Sequence, residues 1–220
     1  MWCGSSKAFA NLSLTFHETE HGVFCAHHYR YSPSMSTFLV EISPQTWRRA
    51  GFETMALDDT LRHFERVFAP ELDGHPVLSN HSYWRNFPVI WNARWSFENV
   101  VLLGDALRPA HFSIGSGTRM AMQDALALCA AFRQHPSDVP AALQAFQTLR
   151  MPTMRKIWDA ANRSMEWYER MDELVPHLSP VEFAYSYMTR TGRVDHARVR
   201  RIDARLADAY EKLHPEVAGA

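Results

Sequence analysis

The sequence predicts a mixed fold, α+β with an α/β element, and three patterns carry that expectation. Residues 11–42 alternate apolar and polar positions in three successive runs, as antiparallel strands do. Val100-Val-Leu-Leu103 is a short apolar run suited to a strand buried on both faces. It ends in Gly104-Asp105 and leads to a glycine-flanked helix start at Gly115-Ser116-Gly117-Thr118. From residue 136 onward the periodicity is helical, in long segments.

The elements follow in order. Leu12, Leu14 and Phe16 share one face of the first strand; Val23 to Tyr31 and Met35 to Ile42 follow, separated by His-Gly and Ser-Pro-Ser turn signals. Three consecutive antiparallel strands form a sheet that can wall a cavity. Residues 44–69 hold two helical stretches, the second from Leu57 to Phe68 with an apolar stripe at Leu61, Phe64 and Phe68. Pro70 to His81 reads as a loop, and Ser82 to Arg94 as an extended return toward the Val100 strand. The helix after the glycine loop spans roughly Ser116 to Phe132, and its stripe of Met120, Ala121, Ala125 and Leu128 is packing. Pro136-Ser-Asp-Val-Pro140 signals a helix start. That helix runs to about Met171 with an expected kink at Pro152, and a last helical region covers Pro180 to about Leu213.

Composition narrows the function. The 220-residue chain has a formal net charge of −1, so no global field draws nucleic acid or an anionic membrane. Cys3, Cys25 and Cys129 are an odd number without paired spacing and read as free thiols of a reducing compartment. No signal-peptide pattern and no apolar run of spanning length stands out, so a cytoplasmic protein is expected. Aromatic content of 12% suits a pocket for a flat substrate as well as core packing.

The chemistry concentrates around Gly104. That glycine permits a tight turn, and Asp105 sets a carboxylate just past the strand's carboxyl end, where α/β sheets bind ligands. Gly115 and Gly117 let backbone approach a ligand, and the helix they open points free N–H groups and its positive dipole end at the same spot.

This block resembles the second FAD-binding motif of the aromatic-ring flavoprotein monooxygenases. The common pattern has a His shortly after Gly-Asp-Ala and a Pro-Pro in mid-loop; here those places hold Arg108 and His111-Phe112. The departure resembles a narrower subgroup, the salicylyl-CoA 5-hydroxylases and the tryptophan hydroxylase of violacein-type pathways. Met35-Ser-Thr-Phe-Leu-Val-Glu41, Thr46-Trp-Arg-Arg-Ala-Gly51, Asn86-Phe-Pro88 and Arg94-Trp95 point the same way, and the resemblance covers most of the chain, to about Tyr210.

The resemblance implies hydroxylation of an aromatic ring with FAD, O2 and NADH or NADPH, on an aromatic acyl-CoA or an indole-type substrate. It implies that Asp105 bonds the ribityl chain and that the Gly115-Ser116-Gly117-Thr118 amides face the pyrimidine end of the flavin. Gly104 and Arg108 join that cofactor set; Arg108 is otherwise an anchor for an anionic part of the substrate, or solvent-facing. His111 and Phe112 are the expected catalytic pair. Phe112 shapes the aromatic pocket, and His111 either hydrogen-bonds the substrate or the reactive oxygen, acts as an acid or base, or is simply a packed loop residue.

The family opens with a Rossmann unit whose Gly-x-Gly-x-x-Gly holds the FAD pyrophosphate. No three of the nine glycines form that fingerprint; Gly115-Ser-Gly117-Thr-Arg-Met120 comes nearest, with Met in the sixth place. The expected organisation is therefore a C-terminal portion of such an enzyme: residues 1–93 a partial substrate-binding sheet domain, 94–135 the second FAD-binding motif, and 136–220 a helical region. A separate N-terminal FAD-binding half is an expected partner beside the small aromatic substrate. The Val100 strand is expected to have an unpaired edge without that half. The alternative is a non-catalytic fragment or subunit.

Two further signals compete. His17-Glu18-Thr19-Glu20-His21 matches H-E-x-x-H, which would make a zinc hydrolase, but the motif needs a helix and here lies between strand-like runs, so no metal site is expected. Arg190, Arg193, Arg198, Arg200, Arg201 and Arg205 alternate with Asp195, Asp203 and Asp208, as on a solvated helix face; a CoA-phosphate site is the weaker alternative.

Overall fold

A computed structural model describes residues 1–218. Gly219 and Ala220, the end of the expected helical region, lie outside the described residues. In chain order the described residues form strands β1 (Trp2–Ser5), β2 (Ser13–Thr19), β3 (Gly22–Ser32) and β4 (Met35–Ile42), helices α1 (Pro44–Arg49), α2 (Leu57–Val67) and α3 (Ala69–Leu72), and strands β5 (Val77–Ser79), β6 (Ser96–Phe97) and β7 (Val100–Val101). Helices follow: α4 (Gly104–Leu107), α5 (Gly117–Gln134), α6 (Val139–Glu169), α7 (Met171–His177), α8 (Pro180–Thr189), α9 (His196–Ile202) and α10 (Ala204–Leu213). They divide into two units, one of Met1–Asn86 with Tyr168–Phe183, the other of Phe87–Trp167 with the residues from Ala184 onward.

The first unit is built on a five-stranded antiparallel sheet of order β2-β3-β4-β1-β5. The three expected strands are there, because alternation along Leu12–Phe16 and its neighbours sets the face each side chain takes. The β2–β3 turn closes at Gly22, whose φ of 129° a side chain would strain. Phe24, Ala26, Phe38 and Val40 bury one sheet face against Phe64 and Phe68 from the α2 segment. Asp58 and Asp59 in the first turn of α2 and Arg66 in its last suit the helix dipole. On the other side α7 packs on β2 and β3, and Tyr168 stacks on His27 at 5.5 Å between ring centres.

A single carboxylate ties that second segment to the sheet. Asp172 accepts from the Val23 N–H at 2.7 Å, from Ser43 Oγ at 2.7 Å and from Thr46 Oγ1 at 2.9 Å, with Arg49 Nη2 at 3.3 Å. Ser43 also caps α1 through the Thr46 N–H. Burial pushes the Asp172 carboxyl up, but these donors outweigh it and hold it below its ordinary value.

The second unit has a core of Trp95, Leu107, Met120, Phe146, Met154 and Ile157, drawn from the segment before β6, from α4, α5 and α6. α6 continues through Pro152 as one helix. No described helix is long and apolar enough to cross a membrane.

The structure departs from the sequence expectations at several places. β1 and β5 add two strands, and the expected loop from Pro70 to His81 contains the end of α3 and all of β5. The Val100–Leu103 run is not a strand buried on both faces. Only Val100 and Val101 are strand, paired antiparallel with Phe97 and Ser96, and Val100 is 60% exposed. Burial on two faces needs neighbouring strands, and among the described residues β7 pairs with β6 alone. On α5 the buried side chains are Met120, Asp124 and Ala131, whereas Ala125 is exposed.

Candidate functional site

The Gly104 turn is built from both ends. Gly104 has a φ of 56° and opens α4; a Cβ placed there would lie 3.1 Å from the Ala121 Cβ on α5. The close approach of α4 to α5 therefore needs glycine. The Gly104 N–H donates to Asp124 Oδ2 at 3.3 Å, and Asn92 Nδ2 donates to the Leu107 carbonyl at 2.6 Å, fixing the other end of α4.

Asp105 is exposed on this short helix and approaches the start of α5: a Cβ placed on Gly117 would come within 4.0 Å of Asp105 Oδ1. Between them the chain makes a 3-10 turn over Phe112–Ile114, closed by Gly115 with φ 59° and its N–H on the Phe112 carbonyl at 2.8 Å. α5 begins at Gly117 with Ser116 before it, and no side chain caps it there. The Ser116 hydroxyl donates instead to the Ile114 carbonyl at 3.2 Å and receives Arg119 Nη2 at 3.2 Å. An acceptor carboxylate thus stands beside helix-end amides that look for an acceptor. A ligand with hydroxyls on one side and carbonyl or anionic oxygens on the other fits that pairing, as the ribityl and pyrimidine parts of a flavin do.

Arg108 is the correction in this set. The sequence groups it with the cofactor contacts, but its side chain is 1% exposed and bound to Asp124 Oδ2 at 2.6 Å. It also donates to the Gly104 carbonyl at 3.3 Å. Burial lowers its pKa, and the Asp124 charge works against that shift. Asp124 in turn accepts from Arg150 Nη2 at 2.9 Å and Nε at 3.1 Å. Asp124 and Arg150 were not singled out by sequence. The available signal was an acid four residues after Met120, on the buried face of an apolar helix.

His111 and Phe112 sit together, their rings 4.4 Å apart, and Phe87 packs against both at 5.6 and 5.0 Å. His111 lines a narrow crevice with Phe87, Pro88, Ala110 and Met165. Ser113, Ser164 and Arg190 stand behind it and were also missed. Arg190 is not on a solvated face; it bonds Ser164 Oγ at 3.0 Å and the Ser113 carbonyl at 3.2 Å. Arg200 is exposed and ion-paired, but with Asp208 at 2.9 Å and with Glu211 across α9 and α10, not with an i,i+4 partner on one helix face.

His17 and His21 do not meet on a helix. His17 lies in β2 and bonds Glu71 Oε2 at 2.9 Å, and His21 lies in the turn beside Glu20. Among the described residues no group of three or more His, Cys, Asp or Glu could hold a metal ion.

No family model matches the chain. It is 37% identical over 218 residues to salicyloyl-CoA 5-hydroxylase of Streptomyces, a match covering 92% of this chain and 42% of that protein. It is 38% identical over 191 residues to protodeoxyviolaceinate monooxygenase of Chromobacterium violaceum, covering 86% of this chain and 51% of the relative. Through these relatives the chain is similar, over most of its own length, to FAD-dependent aromatic monooxygenases. It spans about half the length of the curated relatives it matches. The fold agrees: the structure of PqsL from Pseudomonas aeruginosa superposes with a TM-score of 0.54 at 18% identity, covering 76% of this chain and 48% of PqsL. An HpxO variant of Klebsiella pneumoniae complexed with FAD gives 0.50 at 18% identity, covering 96% of this chain and 52% of HpxO.

Proposed function

We propose that this chain is the flavin-facing part of an FAD-dependent hydroxylase that places an oxygen atom on an aromatic ring. The observation that carries the reading is the Asp105 carboxylate beside the uncapped start of α5. A carboxylate accepts from ribityl hydroxyls, while amides at a helix's positive end donate to the oxygen-rich pyrimidine edge. Gly104, Asp105, Gly115, Ser116, Gly117 and Thr118 would hold FAD. When bound, FAD carries electrons from NADH or NADPH to O2 and so makes ring hydroxylation accessible. The chain's own residues bind, orient and screen. Phe112 with Phe87 offers an aromatic wall that excludes water, and His111 offers a ring nitrogen for a substrate oxygen. Arg108 acts through the turn it braces.

The relatives' names include a CoA thioester, which supports an aromatic acyl thioester as substrate class, with an indole-type compound as second choice. Free Cys3, Cys25 and Cys129 fit a reducing cytoplasm. The curated relatives are about twice this length, and the sequence has no Gly-x-Gly-x-x-Gly. Both facts support a partner region that holds the FAD pyrophosphate while this chain holds the ribityl and pyrimidine parts.

The test is a titration of the purified chain with FAD, followed by flavin fluorescence, with Asp105→Ala alongside. A carboxylate hydrogen bond of about 1.5–3 kcal/mol corresponds to roughly 10–150-fold weaker binding by the variant. Equal binding by both proteins, or none by either, refutes the reading.

A further inference from the structure

The loop that carries His111 is tied by a run of hydrogen bonds that ends on an arginine. The Ser113 backbone N–H donates to His111 Nδ1 at 3.4 Å, and Ser113 Oγ lies 2.9 Å from the same nitrogen. Ser113 Oγ is 2.8 Å from the hydroxyl of Ser164, a fully buried residue of α6. Ser164 Oγ receives the Nε–H of Arg190 at 3.0 Å. The guanidinium is fixed in its turn by the carbonyls of Tyr187, at 2.7 Å, and Ser113, at 3.2 Å, and lies 3.8 Å from the centre of the Tyr187 ring.

Two members of this chain can only donate, the arginine and the backbone amide. Ser164 accepts from Arg190 and keeps a proton that it can give to Ser113, whose hydroxyl can then donate to Nδ1. The Ser113 amide reaches Nδ1 directly. The amide route requires a lone pair at Nδ1 and the hydroxyl route is compatible with one, which puts the proton of the neutral imidazole on Nε2.

We infer that Ser113, Ser164 and Arg190 are positioning residues that hold neutral His111 as its Nε2–H tautomer, making it a hydrogen-bond donor, not a base, toward a carbonyl or phenolic oxygen of the aromatic substrate. The tautomer follows from this unit's own hydrogen bonds; the substrate oxygen rests on the hydroxylase reading. The role also separates two functions that sequence left open for His111, because an imidazole whose Nε2 carries a proton cannot accept one there.

The experiment is nitrogen-15 NMR of histidine-labelled protein, above the pH range where imidazole titrates, with His111→Gln to assign the signals. The expected pattern has an unprotonated Nδ1 and a protonated Nε2. Ser113→Ala and Ser164→Ala each reduce the bias by about fivefold, the size of one hydrogen bond, and Ser164→Thr, which keeps a hydroxyl, restores it. A change in packing alone would not distinguish Thr from Ala in this way. A predominantly Nδ1-protonated His111, or a tautomer ratio unmoved in both alanine variants, overturns the inference. Salicylate serves as the probe for the donor role: His111→Gln, which keeps an N–H, retains binding, and His111→Leu weakens it about fivefold. No salicylate binding by the unmodified chain, or equal loss in both variants, overturns that role. The NMR needs no FAD, so failure of the hydroxylase reading shows separately, in the flavin titration.

Discussion

Removing the Asp124 carboxylate tests how the Gly104 turn is held. Asp124 is fully buried and accepts four hydrogen bonds, from Gly104 N, Arg108 Nη2 and two nitrogens of Arg150. Asp124→Ala leaves Arg108, 1% exposed, without its counter-charge, while Arg150, 12% exposed, can turn toward water. Stranding one member of a buried pair costs about 3–5 kcal/mol. With a urea slope of about 2 kcal/mol per molar, the unfolding midpoint falls by roughly 1.5–2.5 M. Trp95, buried in the same unit against Phe146 at 5.5 Å, reports the transition by fluorescence. The double variant Asp124→Leu with Arg108→Met removes both charges and recovers most of the loss, since apolar replacement of a buried pair is often neutral. A midpoint shift under about 0.5 M for Asp124→Ala, or a double variant no better than the single one, would show that the ion cluster does not brace this turn.

Other outcomes follow from named contacts. Gly104→Ala combines a φ of 56° with a Cβ 3.1 Å from Ala121, so it costs about 1–3 kcal/mol and lowers the melting temperature by several degrees. An unchanged melting curve would contradict that geometry. Phe64→Ala empties a fully buried site between the sheet and α2 and costs about 3–5 kcal/mol in urea unfolding. The Asp172 carboxyl titrates below its ordinary value when folded, so its stabilisation is complete above about pH 4 and fades as pH falls through the folded value. Asp172→Asn is accordingly less stable at pH 7, and the gap between the two proteins narrows under acid; a gap that stays constant from pH 7 down to pH 2 would refute the assignment.

The sheet of the first unit was legible where alternation persists over seven residues or more, as in β2, β3 and β4. β1 and β5 were not, because four and three residues carry too little periodicity and their burial depends on partners far along the chain. The glycine loop and the start of α5 could be read locally, since positive φ and helix opening are short-range demands. Val100–Leu103 misled because an apolar run announces burial without saying what supplies the cover. The positions of Arg108 and Arg190 were hidden for a similar reason: their partners Asp124 and Ser164 lie 16 and 26 residues away, and a charge in a sequence reads as exposed until its counter-group is known.

The first unit is assembled from two stretches of chain separated by the whole of Phe87–Trp167. Its sheet can pair early, but the Val23 amide waits for a carboxylate 149 residues further on, and Ser43 and Thr46 at the start of α1 wait for the same group 129 and 126 residues on. At synthesis rates of about 5–20 residues per second, that wait is roughly 7–30 seconds. During it one face of β2 and β3 lacks α7, and the donors of Ser43 and Thr46 bond water. Emergence from the ribosome therefore leaves a sheet that is formed but not fastened. A nascent chain stalled before Asp172 should be cut by protease within β2 and β3, and should resist once Phe183 has cleared the exit tunnel.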